Sequence, residues 1–133
     1  MAIQILGSTA ATAAILFFWG GLVYAVILKR FFARHFGHIA RSETEVKLGA
    51  VALEKLLQGA LMTVLYRHSV ALAGSGLASG LVFGALIGTL IEGTYLLSTW
   101  VNYRVELKPV LVTAVLGWPR MLLVGLVLGA INR

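Results

Sequence analysis

The chain has 133 residues, 59% of them hydrophobic and 12% charged, with a mean hydropathy of +0.93. Ordinary soluble domains are about 25% charged, so in water this chain would expose apolar patches that a bilayer covers naturally. The net charge of +6 sits mainly at the ends of apolar segments, which suits phospholipid headgroups rather than nucleic acid; with no cysteine there is no disulfide framework, thiolate metal site or cysteine nucleophile.

Four apolar segments predict one all-α domain, a polytopic membrane protein with four transmembrane helices in one bundle. Their expected bounds are 8–28, 47–66, 70–100 and 109–131. Each approaches or exceeds the ~20 residues that cross ~30 Å of hydrocarbon. Strand alternation is missing, and in lipid only helices or closed barrels satisfy the backbone. The first segment carries no charged side chain before Lys29. A secretory signal places its charge ahead of the apolar core, so this segment reads as a retained helix with its N-terminus outside.

The loop at 29–46 contains "KRFFARHFGHIARS". Continued as a helix, it puts Phe31, Phe32, Phe36 and Ile39 on one face and Arg30, Arg34, His38 and Arg41 on the other. That pattern fits a basic amphipathic segment lying among headgroups, with Lys29, Arg30, Arg34 and Arg41 as lipid-interface contacts. Anionic lipid is the expected partner, ahead of a docking protein. Gly37 argues against one unbroken helix. In "SETE", Ser42 and Glu45 have capping-box spacing, and Glu43 stands one turn from Lys47.

The second segment carries Glu54, Lys55 and Gln58 within its apolar run. The third carries Gly76, Gly80, Gly84 and Gly88 at spacing four, and the next step lands on Glu92. Lipid tails are as apolar as leucine, so membrane helices associate where small residues let backbones approach. Three overlapping GxxxG steps therefore predict a groove, a glycine zipper, with this helix at the centre of the bundle. The fourth segment offers a matching surface in Gly125 and Gly129, with Gly117 two steps back. Packing inside the bundle is preferred over contact between subunits.

Ionisable residues inside a membrane are costly and usually face the interior. At ~1.5 Å per residue, Glu54 lies roughly 10 Å in from Lys47, Glu92 roughly 12 Å from Trp100, and Arg120 roughly 16 Å from Pro109. Helical side chains lean toward their own N-terminus. On antiparallel helices Glu92 and Arg120 therefore lean toward each other, while Lys55 can snorkel to the surface. The first expectation is a buried Glu92–Arg120 pair that fixes the register of two helices. The alternative is a proton- or ion-responsive carboxylate, or an anion held at Arg120. "GWPR" at 117–120 places Pro119 inside the fourth helix, where a kink frees carbonyls that Arg120 could satisfy.

Charge sets orientation. Lys29, Arg30, Arg34, Arg41, Lys47, Arg104 and Lys108 fall in the first and third loops, against Arg67 and Arg133 on the other side. The positive-inside rule then puts both termini outside and loops one and three in the cytoplasm. Trp100 and Tyr103 suit the inner aromatic belt and Tyr66 the outer one. His35 and His38 fall in a loop and His68 near a helix end, so no axial-ligand site or other cofactor is expected. Catalytic motifs are lacking: there is no H-E-x-x-H or G-x-S-x-G, and no base stands ready for Ser75 or Ser79.

Small multidrug exporters are similar in length and helix count, but their essential acid lies in the first helix, which is uncharged here. Fluoride channels are similar in size, but their glycine-rich arginine motif is missing. The chain resembles instead a family of small four-helix bacterial membrane proteins without assigned function. The resemblance rests on Trp19 and Tyr24, "KRFFARHFG", "GALIGTLIEG", Lys108-Pro109 and "VGLVLGAINR". "GWPR" and Glu54 depart from that pattern. The resemblance implies a fold and not an activity. The expected role is a non-enzymatic structural or accessory protein of the bacterial inner membrane, working with other membrane subunits or with itself. The alternative is a small transporter or channel using Glu92, Arg120 and Glu54.

Overall fold

The computed structural model describes residues 2–38 and 45–132. Outside the short connections these are helical, with no strand among them. Helix α1 (Ala2–Gly20) continues into a π-helical stretch, Gly21–Ile27. The short α2 (Lys29–Phe36) follows, and then the long helices α3 (Leu48–Ala73), α4 (Leu77–Asn102) and α5 (Leu107–Ile131). Four spans, Ala2–Ile27, Leu48–Val70, Leu77–Asn102 and Leu107–Ile131, are long and apolar enough to cross a membrane.

The boundaries move where local chemistry overrides hydropathy. The first helix begins at Ala2 rather than residue 8, because the hydroxyls of Ser8 and Thr12 turn inward instead of ending the apolar run. The second runs to Ala73 rather than 66, since Arg67 and His68 remain helical. What stops it is a glycine turn: Gly74 and Gly76 have φ of 79° and 103°, the region where side chains clash and glycine does not. The next helix therefore starts at Leu77 and not at 70, and Gly76 caps it from outside. Helix α3 starts on Lys47, whose side chain makes no capping bond. The expected box partner Ser42, the pair partner Glu43, and Ile39, Arg41 and Arg133 lie outside the described residues.

Helix α1 packs between α3 and α5, and α5 packs between α1 and α4. The consecutive helices α3 and α4 meet sparingly. The central helix is thus α5 and not the glycine-striped helix expected there. Only one face of α4 is cleared, and α5 fills it; Leu86, Leu90 and Leu97 on α4 stay exposed. The core joins Leu16 of α1, Met62 and Tyr66 of α3, Phe83 of α4, and Met121, Val124 and Leu128 of α5. Tyr66 is fully buried, edge-on to Phe83 at 5.3 Å, so it is a core residue rather than part of an aromatic belt. Its hydroxyl stands 3.3 Å from Ser79 Oγ and donates to the Gly76 carbonyl at 3.4 Å, tying α3 to the turn.

Small residues also bring α1 and α3 together. A Cβ on Gly59 would meet the Thr9 carbonyl oxygen at 2.8 Å and the Ala13 nitrogen at 3.0 Å. Ser8, Thr12 and Thr63 are fully buried in the molecule.

Candidate functional site

The α4–α5 contact is built from backbone. A Cβ on Gly80 would overlap the Gly125 carbonyl, one on Gly84 the Met121 carbonyl, one on Gly125 the Gly80 carbonyl, and one on Gly129 the Gly76 carbonyl. Gly88 lies against the side chains of Met121 and Trp118, each 3.0 Å from where its Cβ would stand. The helices run antiparallel in this register, so one further step along α4 brings Glu92 opposite the turn that holds Gly117. A Cβ on Gly117 would overlap the Glu92 carboxyl group itself. The acid that ends the stripe fills the notch left by a missing side chain on the facing helix.

Arg120 completes the contact, donating from Nη2 to Glu92 Oε1 at 2.6 Å. Both side chains are nearly enclosed, at 8% exposure for Glu92 and 12% for Arg120. The Arg120 Nε hydrogen finds no partner. Around Pro119 the helix is supported from α1: Trp19 Nε1 donates to the Leu116 carbonyl at 3.0 Å. Trp118 Nε1 donates to Thr89 Oγ1 at 3.2 Å, a second tie between α4 and α5. Arg120 thus directs its Nη2 to the carboxylate, while an indole from another helix serves a carbonyl of the proline turn.

The pair lines an open cavity of about 310 Å³, together with Tyr24, Phe32, Ile91, Tyr95 and Thr113. Tyr24 comes from the π-helical stretch, where the extra residue per turn redirects side chains; such bulges recur at functional sites. Gly20 and Gly21 at its start have nothing within 4 Å of a built Cβ, so no close packing depends on them. Phe32 of α2 meets Tyr24 edge-on at 4.8 Å and stacks on Phe36 at 5.3 Å. The apolar face of α2 therefore closes one side of the cavity, while Arg30, Arg34 and His38 face outward.

The remaining candidates lie apart from this cavity. Glu54 is not buried: its side chain is 61% exposed on the outer face of α3, which packs on α1 through the opposite face. Lys55, at 17% exposure, pairs with it at 2.7 Å instead of extending to the surface alone. The carbonyl oxygen of the Gln58 side chain is buried without a hydrogen bond. Trp100 and Tyr103 are exposed near the end of α4. His35 sits against Phe31, and His68 Nδ1 stands 2.9 Å from the Val64 carbonyl of its own helix.

Sequence reasoning passed over three features. Ser8, Thr12 and Leu16 recur at spacing four and form the inward stripe of α1, a signal present but masked by strongly apolar neighbours. Tyr24 and Tyr95 reach the Glu92 cavity, which no local pattern announces. Asn132 links α5 to α1 and α3 through Ser8 and Arg67. No protein-family model, curated protein or solved structure matches the chain.

Proposed function

We propose that the chain is a small, non-enzymatic integral membrane protein acting as a structural or accessory subunit, in a larger membrane complex or as a homo-oligomer. The observation that carries this reading is Glu54. It lies roughly two turns into α3 and faces out of the bundle among Leu53, Leu57 and Leu61, which are also exposed. A charged side chain at the centre of a membrane helix costs about 2.5–3.5 kcal/mol on insertion scales, and such residues normally face protein or water. A neighbouring helix over this face relieves that cost. Both acids are paired, Glu54 with Lys55 and Glu92 with Arg120, but the Glu92 pair is enclosed by the bundle while Glu54 stays exposed on its outer face.

The basic first and third loops support insertion in the bacterial inner membrane with both termini outside. Exposed Arg30 and Arg34 on α2 suit anionic headgroups. The test is native mass analysis of the protein gently extracted from its own membrane, beside a Glu54→Leu variant. A stoichiometric assembly that weakens in the variant is expected. A wild-type monomer with no associated chain sinks the proposal.

The cavity beside Glu92 and Arg120 favours a second reading, passage of a small solute or ion. In a vesicle flux assay a translocating Glu92 leaves the Glu92→Gln variant folded but inactive. Unimpaired flux in that variant removes this reading.

A further inference from the structure

We propose that the cleft between Gln4, Arg67, Val70 and Asn132 binds a single oxyanion, a phosphate or carboxylate group, at the end of the bundle where α1 begins and α5 stops. The cleft measures about 150 Å³. On this measure a single water needs only about 10–15 Å³, so the open cleft has ample room for a phosphate-sized group.

The site is built rather than incidental. Asn132 donates from Nδ2 to Ser8 Oγ at 3.0 Å and to the Leu128 carbonyl at 2.9 Å. Its amide hydrogens are thereby committed to α1 and α5, and Ser8 is fully buried. That fixes the amide so that Oδ1 accepts from Arg67 Nη1 at 3.1 Å. Among the described residues the guanidinium makes one hydrogen bond, through one of its five donors, which leaves its planar fork to grip an anion. Gln4, in the first turn of α1, adds a neutral amide.

Charge points the same way. The five acidic residues of the chain are Glu43, Glu45, Glu54, Glu92 and Glu106. No acidic side chain occurs in 1–42, 55–91 or 107–133, the segments that supply this cleft. The closest acid along α3, Glu54, lies thirteen residues before Arg67, about 20 Å away on the helix. Arg67 is oriented and partly enclosed, and among the described residues no acidic side chain stands at its end of the bundle. Such a cation at the edge of an apolar bundle attracts an oxyanion more strongly than one in bulk water.

The anion could come from a phospholipid headgroup or from a free ion, and two probes separate these sources. The full chain in a maltoside detergent is titrated with inorganic phosphate while thermal unfolding is followed. In parallel, the chain from phosphatidylglycerol-containing nanodiscs is analysed by native mass spectrometry for retained lipid. Stabilisation by phosphate identifies a free-anion site; one retained phosphatidylglycerol without a phosphate response identifies a headgroup site. Either supports the proposal if Arg67→Ala weakens binding about tenfold or more, as loss of a charge-assisted contact should, while Arg104→Ala does not. Arg67→Lys keeps the charge without the fork and covers the case in which the alanine variant fails to fold; a several-fold loss is expected. Failure of both probes to bind, or unchanged binding in the Arg67 variants, overturns the proposal.

Discussion

At the residue scale, the Glu92 carboxylate is held by two different absences and one presence. Gly117 lacks a side chain, so the carboxyl group can lie against α5. Gly88, one turn back on α4, lets Trp118 and Met121 approach. Arg120 then neutralises it at 2.6 Å. Removing one member of a buried pair leaves an uncompensated charge, which typically costs about 3–5 kcal/mol. Glu92→Gln should therefore lower the melting temperature in detergent clearly, and Gly117→Ala should do the same by displacing the carboxylate. A double Glu92→Met, Arg120→Met variant should recover most of the loss, because a well-packed apolar pair often matches a buried ionic one. A charge-swapped pair should recover little, since an arginine does not fit the notch at Gly117. Equal melting of all four variants and the wild type would remove the structural role of the pair.

A second residue-scale prediction concerns Thr63. Its hydroxyl is buried without a hydrogen-bond partner. Thr63→Val replaces that hydroxyl with a methyl of similar shape. Leaving a buried polar group unsatisfied costs about 1–3 kcal/mol, so the variant should gain roughly 1 kcal/mol, read as a higher melting temperature.

At the element scale, the glycines divide by what lies opposite them. Gly80 faces the Gly125 carbonyl, whereas Gly93 has nothing within 4 Å of a built Cβ. Both are inside α4. Gly93→Ala should stabilise the protein by roughly 0.5–1 kcal/mol, because alanine loses less backbone freedom in a helix. Gly80→Ala should destabilise it by more than that, because it drives the two backbones apart. Parallel thermal melts of these variants compare propensity with packing in one helix; a stabilised Gly80→Ala variant would refute the backbone contact. The four long helices were legible as apolar runs, and the α4 groove as a spacing of four. The end of α3 was not, because Arg67 and His68 look like a polar boundary while the real stop lies in the backbone geometry of Gly74 and Gly76. The π-helical stretch was equally hidden, since a helix with five-residue bonding has the same apolar composition as an α-helix.

At the scale of the whole molecule, sequence adjacency and spatial adjacency part company. Helices α3 and α4 are joined by a tight turn yet share little surface, while α1 meets both α3 and α5. Depth and lean made the Glu92–Arg120 contact legible, because both follow from helix geometry alone. The cavity around it was not legible, because Tyr24, Phe32 and Thr113 come from three separate elements.

The topology nevertheless constrains how the charges are arranged. Four antiparallel spans put the α1–α3 and α4–α5 connections at one end and the α3–α4 turn at the other. Seven of the eleven basic residues belong to the first end by sequence, and the proposed orientation, following the positive-inside rule, has that end in the cytoplasm. The absence of cysteine makes this testable with single substitutions on an otherwise thiol-free chain. Ser75→Cys in the exposed turn should react with a membrane-impermeant maleimide on intact cells. His38→Cys, in the first connection, and Glu106→Cys, in the third, should react only after the membrane is opened. The reverse pattern would invert the orientation. Labelling of all three on intact cells would show that these segments do not alternate across a bilayer. The expected pattern would place Arg30 and Arg34 against the cytoplasmic leaflet and Arg67 against the opposite one. The two basic sites would then meet different lipid populations, so the anion bound at Arg67 would be set by the outer surface alone.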